Sequence, residues 1–128
     1  MLVPKKNIEQ FYSELRGQFP QLKELSIWQE CDWSEQGYEN SMIMSAIAEE
    51  MARWATNNQL QQTQHLLDFI EASFFEGDNR VTSFIYTDFL VTIMEIKDKE
   101  TREMLKKQMK PETAKHYQQL FQFYREAT

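Results

Sequence analysis

A broad apolar stripe at helical spacing runs from Val81 to Ile96. A strand is the competing interpretation, because Val, Thr, Ile, Tyr and Phe all favour β structure. The stretch is longer than an ordinary strand, however, and it does not alternate strictly between apolar and polar residues. We therefore predict a central helix at residues 80–96, covered by neighbours on several sides. Its stripe contains Val81, Phe84, Ile85, Phe89, Leu90, Ile93, Met94 and Ile96.

Two helices are predicted before residue 30. Asn7, with Gln10 three residues later, forms a capping box that marks the beginning of the first helix. Pro20 ends that helix, because proline disfavours a helical conformation in the residue before it, and suits the first turn of a second, short helix. The apolar positions of the two helices are Ile8, Phe11, Tyr12, Leu15, Phe19, Leu22, Leu25, Ile27 and Trp28.

Two more helices are predicted before the central one. Either Asn40 or the following serine is expected to cap a third helix, which runs to about Asn57. A fourth helix follows the Asn57–Asn58 turn. Gly77 is expected to adopt the left-handed conformation after it, with Asp78 or the next residue capping the central helix.

The remainder of the chain contains two helices. A short, highly charged helix is predicted from Lys99 to about Met109, and a last helix begins at Pro111. The last helix is expected to bury Tyr117, Leu120, Phe121 and Tyr124.

The pattern as a whole predicts an all-α fold. The 128 residues suit a single helical domain, 1–128, and three Gly and three Pro are too few for a fold rich in turns. We expect a single irregular bundle of about seven amphipathic helices around the central helix at residues 80–96.

Charge narrows the choice of partners. The formal net charge is −6, and residues 20–80 carry eleven acidic and three basic residues. This acidity disfavours nucleic acid as a partner, and it favours either a protein with a basic surface or no role beyond solubility. The lone Cys31 suits a reducing compartment, and neither a signal peptide nor a membrane span is apparent, so a cytoplasmic protein is expected.

No constellation predicts catalysis, a cofactor or a metal site. Cys31 lies between two carboxylates, Glu30 and Asp32, which raise a thiol pKa and oppose nucleophilic chemistry. His116 lies four residues after Glu112, as in carboxylate-bridged metal sites, but such sites need a second copy of the pair, and none is present. We therefore expect a solvated helix face there and a protein that is not an enzyme.

Two segments suit protein recognition, and a small enzyme or metal protein remains a further alternative. Aromatic and acidic residues alternate from Trp28 to Glu39, so aromatic anchors stand beside carboxylates that a basic partner would meet. A second acidic face lies on the third helix. The alternatives are that the two tryptophans cover the edge of the core and that the second face is only solvated. The predicted partner-binding residues are Trp28, Glu30, Asp32, Trp33, Glu35, Tyr38, Glu39, Glu49 and Glu50.

Three segments give the chain a family resemblance. They are FYSELRGQFPQLKELS at residues 11–26, Glu39-Asn40-Ser41 at the start of an apolar helix, and LLDFIEASFFEGDNRVTSFIYTD at residues 66–88, continued by Phe89-Leu90. Together they resemble small all-helical bacterial immunity proteins of polymorphic-toxin systems, of the contact-dependent, type VI and Rhs-like kinds. The resemblance covers most of residues 8–109.

The resemblance implies a function. Such a protein binds and neutralises a cognate toxin domain by occlusion, without catalysis. A helical adaptor or secretion chaperone, which holds an effector without inhibiting it, is the alternative. We expect no membrane partner and a monomer when free. Trp54, Phe74 and Phe75 are the apolar residues that would favour a homodimer instead.

Overall fold

The computed structural model describes the backbone of residues 4–127 and the side chains of residues 4–124. Within this part the chain is all-α and forms eight helices, which confirms the predicted fold class. We number them α1 (Ile8–Gln18), α2 (Pro20–Lys23), α3 (Ile27–Glu30), α4 (Asn40–Thr56), α5 (Leu60–Glu76), α6 (Asn79–Phe84, Ile85–Phe89 and Leu90–Met94 in succession), α7 (Lys99–Gln108) and α8 (Pro111–Ala127). The predicted second helix is divided into α2 and α3, so there is one helix more than expected.

The predicted central helix is α6, and its middle segment is a π-helix, Ile85–Phe89. The fully buried side chains Val81, Ile85, Phe89 and Ile93 are spaced in steps of four. In an α-helix each step of four drifts by roughly 40° around the axis, because one turn holds 3.6 residues. The wider π turn reduces this drift, so one face stays buried along the whole helix.

Helix α4 shares the centre of the bundle with α6. It packs against α5, α6 and α7. Its buried side chains include Met44, Ile47, Met51 and Trp54, and Trp54 is only 4% exposed. Trp54 is therefore a core residue and adds nothing to the apolar surface on which the homodimer alternative was based.

The first helix begins as predicted. Asn7 accepts a hydrogen bond from the Gln10 amide at 2.9 Å, and the Gln10 side chain accepts one from the Asn7 amide at 2.9 Å, which completes the capping box. Just before it, the amide of Lys6 donates to the Glu76 carbonyl at 2.9 Å. This contact ties the N-terminal segment to the end of α5.

Gly77 corrects one prediction, because its φ of −82° is not left-handed. The residue is extended and forms an isolated parallel bridge with Lys6. A Cβ on Gly77 would lie 2.6 Å from Val81 Cγ1 and 2.8 Å from the Ser73 carbonyl oxygen. Close packing, rather than a positive φ, therefore explains the glycine. Asp78 caps α6 as predicted, accepting from the Val81 amide at 3.0 Å.

The last helix is less buried than predicted. Tyr117 and Leu120 lie in the core, but Phe121 and Tyr124 are 41% and 42% exposed. Helix α8 packs against α5 and the end of α6. Phe121 and Tyr124 lie within roughly 40° of Tyr117 around the helix, on the same side. They are exposed because α5 and α6 cover the last turns of α8 incompletely.

Candidate functional site

The segment between α3 and α4, residues 31–39, forms the candidate site, and we call it the acidic loop. Its backbone is held from beneath by a side chain of α6. The guanidinium of Arg80 donates to the carbonyl oxygens of Glu35 and Gly37, the latter at 2.8 Å. A long-range contact of this kind fixes the conformation of a loop that has no helix or sheet of its own.

Asn40 supplies the second anchor of the acidic loop. We expected a helix cap at Asn40 or Ser41, but Asn40 is the first residue of α4, and its side chain is fully buried. Its Nδ2 donates to the Gly37 carbonyl at 3.0 Å, and its Oδ1 accepts from the Tyr12 hydroxyl at 2.7 Å. Burial raises the pKa of Tyr12, so the hydroxyl stays protonated and remains a donor. The amide therefore joins the loop to α1.

Two tryptophans support the loop from the side of α1. Trp28 is 7% exposed, and its Nε1 donates to the Leu22 carbonyl at 2.6 Å. Trp33 meets it edge to face, with ring centroids 5.8 Å apart. The Arg16 guanidinium lies 4.4 Å from the centroid of Trp33 and 5.2 Å from that of Trp28. Trp28 is thus a buried support, as the alternative interpretation held, whereas Trp33 remains half-buried.

The carboxylates of the loop fall into two kinds. Asp32 accepts from the Ser34 amide at 3.0 Å, which lowers the pKa of Asp32, and Glu39 accepts from the Asp32 amide at 3.3 Å. These two carboxylates shape the loop. Glu30 and Glu35 are exposed, and their carboxylates make no hydrogen bond or ion pair to any residue that the structure describes. They are therefore free to meet a partner.

Tyr38 is the most exposed aromatic side chain in the described part of the chain, at 98%. Gly37 precedes it and is buried against Asp32, where an added Cβ would lie 2.2 Å from the Asp32 carbonyl oxygen. The chain can pass this point only with glycine, and the next side chain then extends into solvent. Met42, in the first turn of α4, is also 58% exposed, and the sequence analysis did not select it.

Glu49 and Glu50 lie apart from the acidic loop. They follow the start of α4 by nine and ten residues, roughly 14 Å along its axis. Glu49 is exposed, and Glu50 pairs with Arg53. The nine predicted residues therefore form two separate surfaces, of which the acidic loop contains seven when the adjoining Trp28 and Glu30 are included.

Arg16 and Arg80 contact the loop and hold it in place, and neither is among the site residues predicted from the sequence. Arg80 lies more than forty residues from the carbonyl oxygens that it binds. Arg16 stacks on rings that follow it by twelve and seventeen residues. None of these separations along the sequence corresponds to the period of a helix or a strand. No local pattern could have indicated these contacts.

Groups capable of catalysis are scarce. Cys31 is 6% exposed; burial raises the pKa of its thiol, and the carboxylates of Glu39 and Glu30 raise it further. The His116 ring lies 3.2 Å from Glu112 and stacks on Phe74 at 4.6 Å, so this pair is half-buried and not the solvated face that we expected. Among the described residues, no group of three or more His, Cys, Asp or Glu could hold a metal ion.

Cavities near the loop are small. A cleft of about 280 Å³ is lined by residues that include Trp28, Asp32 and Trp33. This volume is below that of ordinary small-molecule sites, which begin at roughly 300 Å³. A larger cavity of about 760 Å³ lies between α1, α2 and the start of α5, and none of the nine predicted residues lines it. The cleft beside the two tryptophans is therefore smaller than an ordinary small-molecule site.

Comparison with known proteins places the chain in a family. Residues 12–125 match the domain of unknown function DUF7674, and the chain belongs to this family. Neither a curated protein nor a solved structure matches it. In the part of the chain that the structure describes, none of the helices has the length and apolar character needed to cross a membrane.

Proposed function

We propose that this protein is an immunity protein that binds a cognate toxin domain through the acidic loop and occludes it without catalysis. One observation carries the proposal: Tyr38 is 98% exposed at the outer side of a loop whose backbone is fixed by Arg80 and Asn40. The toxin as partner comes from the resemblance to immunity proteins described above.

A fixed loop favours binding because less conformational entropy is lost on association. Ordering a flexible loop costs free energy when a complex forms, and a loop already held by hydrogen bonds avoids part of that cost. Tyrosine is among the residues that contribute most to protein interfaces, since it brings a large apolar ring and a hydroxyl. Tyr38 therefore has the chemistry and the exposure of an interface anchor.

The charge around Tyr38 defines the partner. The exposed carboxylates of Glu30 and Glu35 flank a loop that contains no basic residue of its own. Such a surface is complementary to a basic one, and this complementarity raises the association rate and disfavours acidic partners. A toxin domain with a basic active-site surface fits this description.

The experiment begins with co-expression of the tagged chain and the product of the adjacent gene, followed by native mass spectrometry of the purified complex. We expect a stoichiometric complex, and we expect the partner to be lethal when it is expressed alone. If the partner binds but is harmless alone, the adaptor or chaperone alternative replaces this proposal. If no complex forms, the proposal is wrong.

Two variants then locate the surface. We expect the double variant Glu30→Lys/Glu35→Lys to weaken binding at least tenfold, and Tyr38→Ala to weaken it by about tenfold or more. The matched control is Glu24→Lys/Glu100→Lys, which changes the net charge equally at exposed positions outside the loop. Equal losses in both double variants would mean general attraction rather than recognition by the loop. Glu49→Lys tests the second acidic surface separately.

A further inference from the structure

The end of α8, residues 121–124, carries three exposed aromatic side chains. Phe121 and Tyr124 are 41% and 42% exposed, and Phe123 is 65% exposed. Tyr117 and Leu120 attach the preceding turn of the helix to the core. Phe123 therefore contributes little to the fold, and contiguous exposed apolar side chains mark an interaction surface.

A groove adjoins these side chains. Phe121 and Tyr124 line it together with Met94 and Glu95 at the end of α6, and its volume is about 420 Å³. Of these four lining residues, only Glu95 carries a charge. Phe123 does not line the groove and lies roughly 100° around the helix from Tyr124. Helix α8 therefore borders an apolar groove on one side. The exposed ring of Phe123 lies beside this groove and does not line it.

Charge decides between possible occupants. Residues 116–124 contain no Asp, Glu, Lys or Arg, whereas the chain as a whole carries a net charge of −6. A basic partner would meet only the Glu95 carboxylate in the groove, so it would gain little electrostatic attraction here. Two copies of this acidic chain repel each other least where few charges meet, and residues 116–124 bring none of their own into the contact.

We propose that the end of α8 pairs two copies of this chain about a two-fold axis, with Phe123 of each copy in the groove between Met94, Phe121 and Tyr124 of the other. In such an interface the same surface is used twice, so the ring and the groove must both be present on one chain. Both are present on this chain. Because each copy inserts its Phe123 ring into the groove of the other, the assembly closes at two copies.

The pairing leaves the acidic loop accessible. Arg80, which holds that loop, lies near the start of α6, and Met94 lies at its end, fourteen residues later. The two points are roughly 21 Å apart along the helix axis. The dimer would therefore present two acidic loops, each able to bind its own partner molecule.

The test is sedimentation velocity of the full chain over a concentration series, with Phe123→Glu and Phe75→Glu as matched variants. Phe75 is also exposed, at 58%, but it lies at the end of α5 and outside the groove. We expect the unmodified chain and Phe75→Glu to form dimers with similar affinity, and Phe123→Glu to weaken the dimer at least tenfold. Circular dichroism checks that both variants fold.

Two results would overturn the proposal. One is a chain that stays monomeric at every concentration. The other is a dimer whose affinity is the same in Phe123→Glu as in the unmodified chain, which would place the contact elsewhere. The test does not involve the toxin, so its outcome is independent of the proposed function.

Discussion

The acidic loop and the end of α8 both expose aromatic side chains, but they hold them in different ways. The loop has no regular structure, and hydrogen bonds from Arg80 and Asn40 fix its backbone. The end of α8 is fixed by the helix itself, and no charged side chain occurs between residues 116 and 124. The first surface depends on long-range polar contacts, whereas the second depends on helix formation and on the apolar packing of Tyr117 and Leu120 against the core.

This difference has a consequence for mutations. A substitution at a polar anchor should disturb the acidic loop and leave α8 unchanged, because the anchors of the loop lie on α1, α4 and α6. A substitution of Phe123 at the end of α8 should leave the stability of the chain nearly unchanged, because exposed side chains contribute little to folding. The three predictions below test this contrast, from the largest effect to the smallest.

The largest effect is expected for Asn40→Leu. The change removes the acceptor of the Tyr12 hydroxyl and one donor to the Gly37 carbonyl, both within a buried site. An unsatisfied buried polar group costs about 1–3 kcal/mol, so we expect a loss of about 2–4 kcal/mol in the free energy of unfolding, measured in urea. Adding Tyr12→Phe should restore part of this loss, because no hydroxyl then lacks a partner. A loss below about 1 kcal/mol would show that the network does not anchor the loop.

A smaller effect is expected for Arg80→Met, which removes the donors to the Glu35 and Gly37 carbonyls. The methionine keeps much of the apolar contact of the arginine, and the Gly37 carbonyl still accepts from Asn40. We expect a loss of about 1–2 kcal/mol in the free energy of unfolding. The specific measurement is amide hydrogen exchange, which should become faster in residues 31–39 and stay unchanged in α8.

The control for Arg80→Met is Arg53→Met, which replaces an exposed arginine that pairs with Glu50 on its own helix. Exposed pairs of this kind contribute little, so we expect a change within about 0.5 kcal/mol and no change in exchange in the acidic loop. Equal acceleration of exchange in the loop and in α8 after Arg80→Met would contradict the contrast between the two surfaces.

The smallest effect concerns pH. The Ser34 amide lowers the pKa of the exposed Asp32 carboxyl below its ordinary value of 3.8. A lowered pKa means that the carboxylate stabilises the folded loop above pH 3.8 and that this contribution is lost as the pH falls through the lowered value. Tryptophan fluorescence from Trp33 should therefore change in that acid range, and Asp32→Asn should abolish the change.

The pH experiment also separates the two surfaces. Tyrosine hydroxyls are the only side-chain acids between residues 117 and 124, and burial raises the pKa of Tyr117. No group in this segment titrates near pH 4. The Glu95 carboxylate borders Phe121 and Tyr124, so the comparison uses residues 118–120, whose amide signals should stay constant in NMR spectra while those of the acidic loop shift. A parallel shift in residues 118–120 would indicate global acid unfolding instead.

Local rules were sufficient for most of the fold. The capping box at Asn7, the Asp78 cap and the apolar stripes predicted helices close to their observed bounds, because caps and stripes depend on residues only three or four positions apart. The buried positions from Val81 to Ile93 recur every four residues, which fits the wider π turn at Ile85–Phe89. An ordinary α-helix was expected there. A polar stretch with Gly37 between two helices is also typical of an irregular segment, and residues 31–39 form one.

Contacts between distant residues decided the rest. Arg80 and Arg16 hold the acidic loop, Trp28 is buried beneath it, and neither fact follows from spacing along the chain. The same holds for the end of α8, where periodicity predicted a buried Phe121 and Tyr124. Periodicity identifies which side chains share a helix face, but only the neighbours of that helix determine how far along the helix this face is covered. Here Phe121 and Tyr124 share the face of the buried Tyr117, and they stay exposed because α5 and α6 cover the last turns of α8 incompletely.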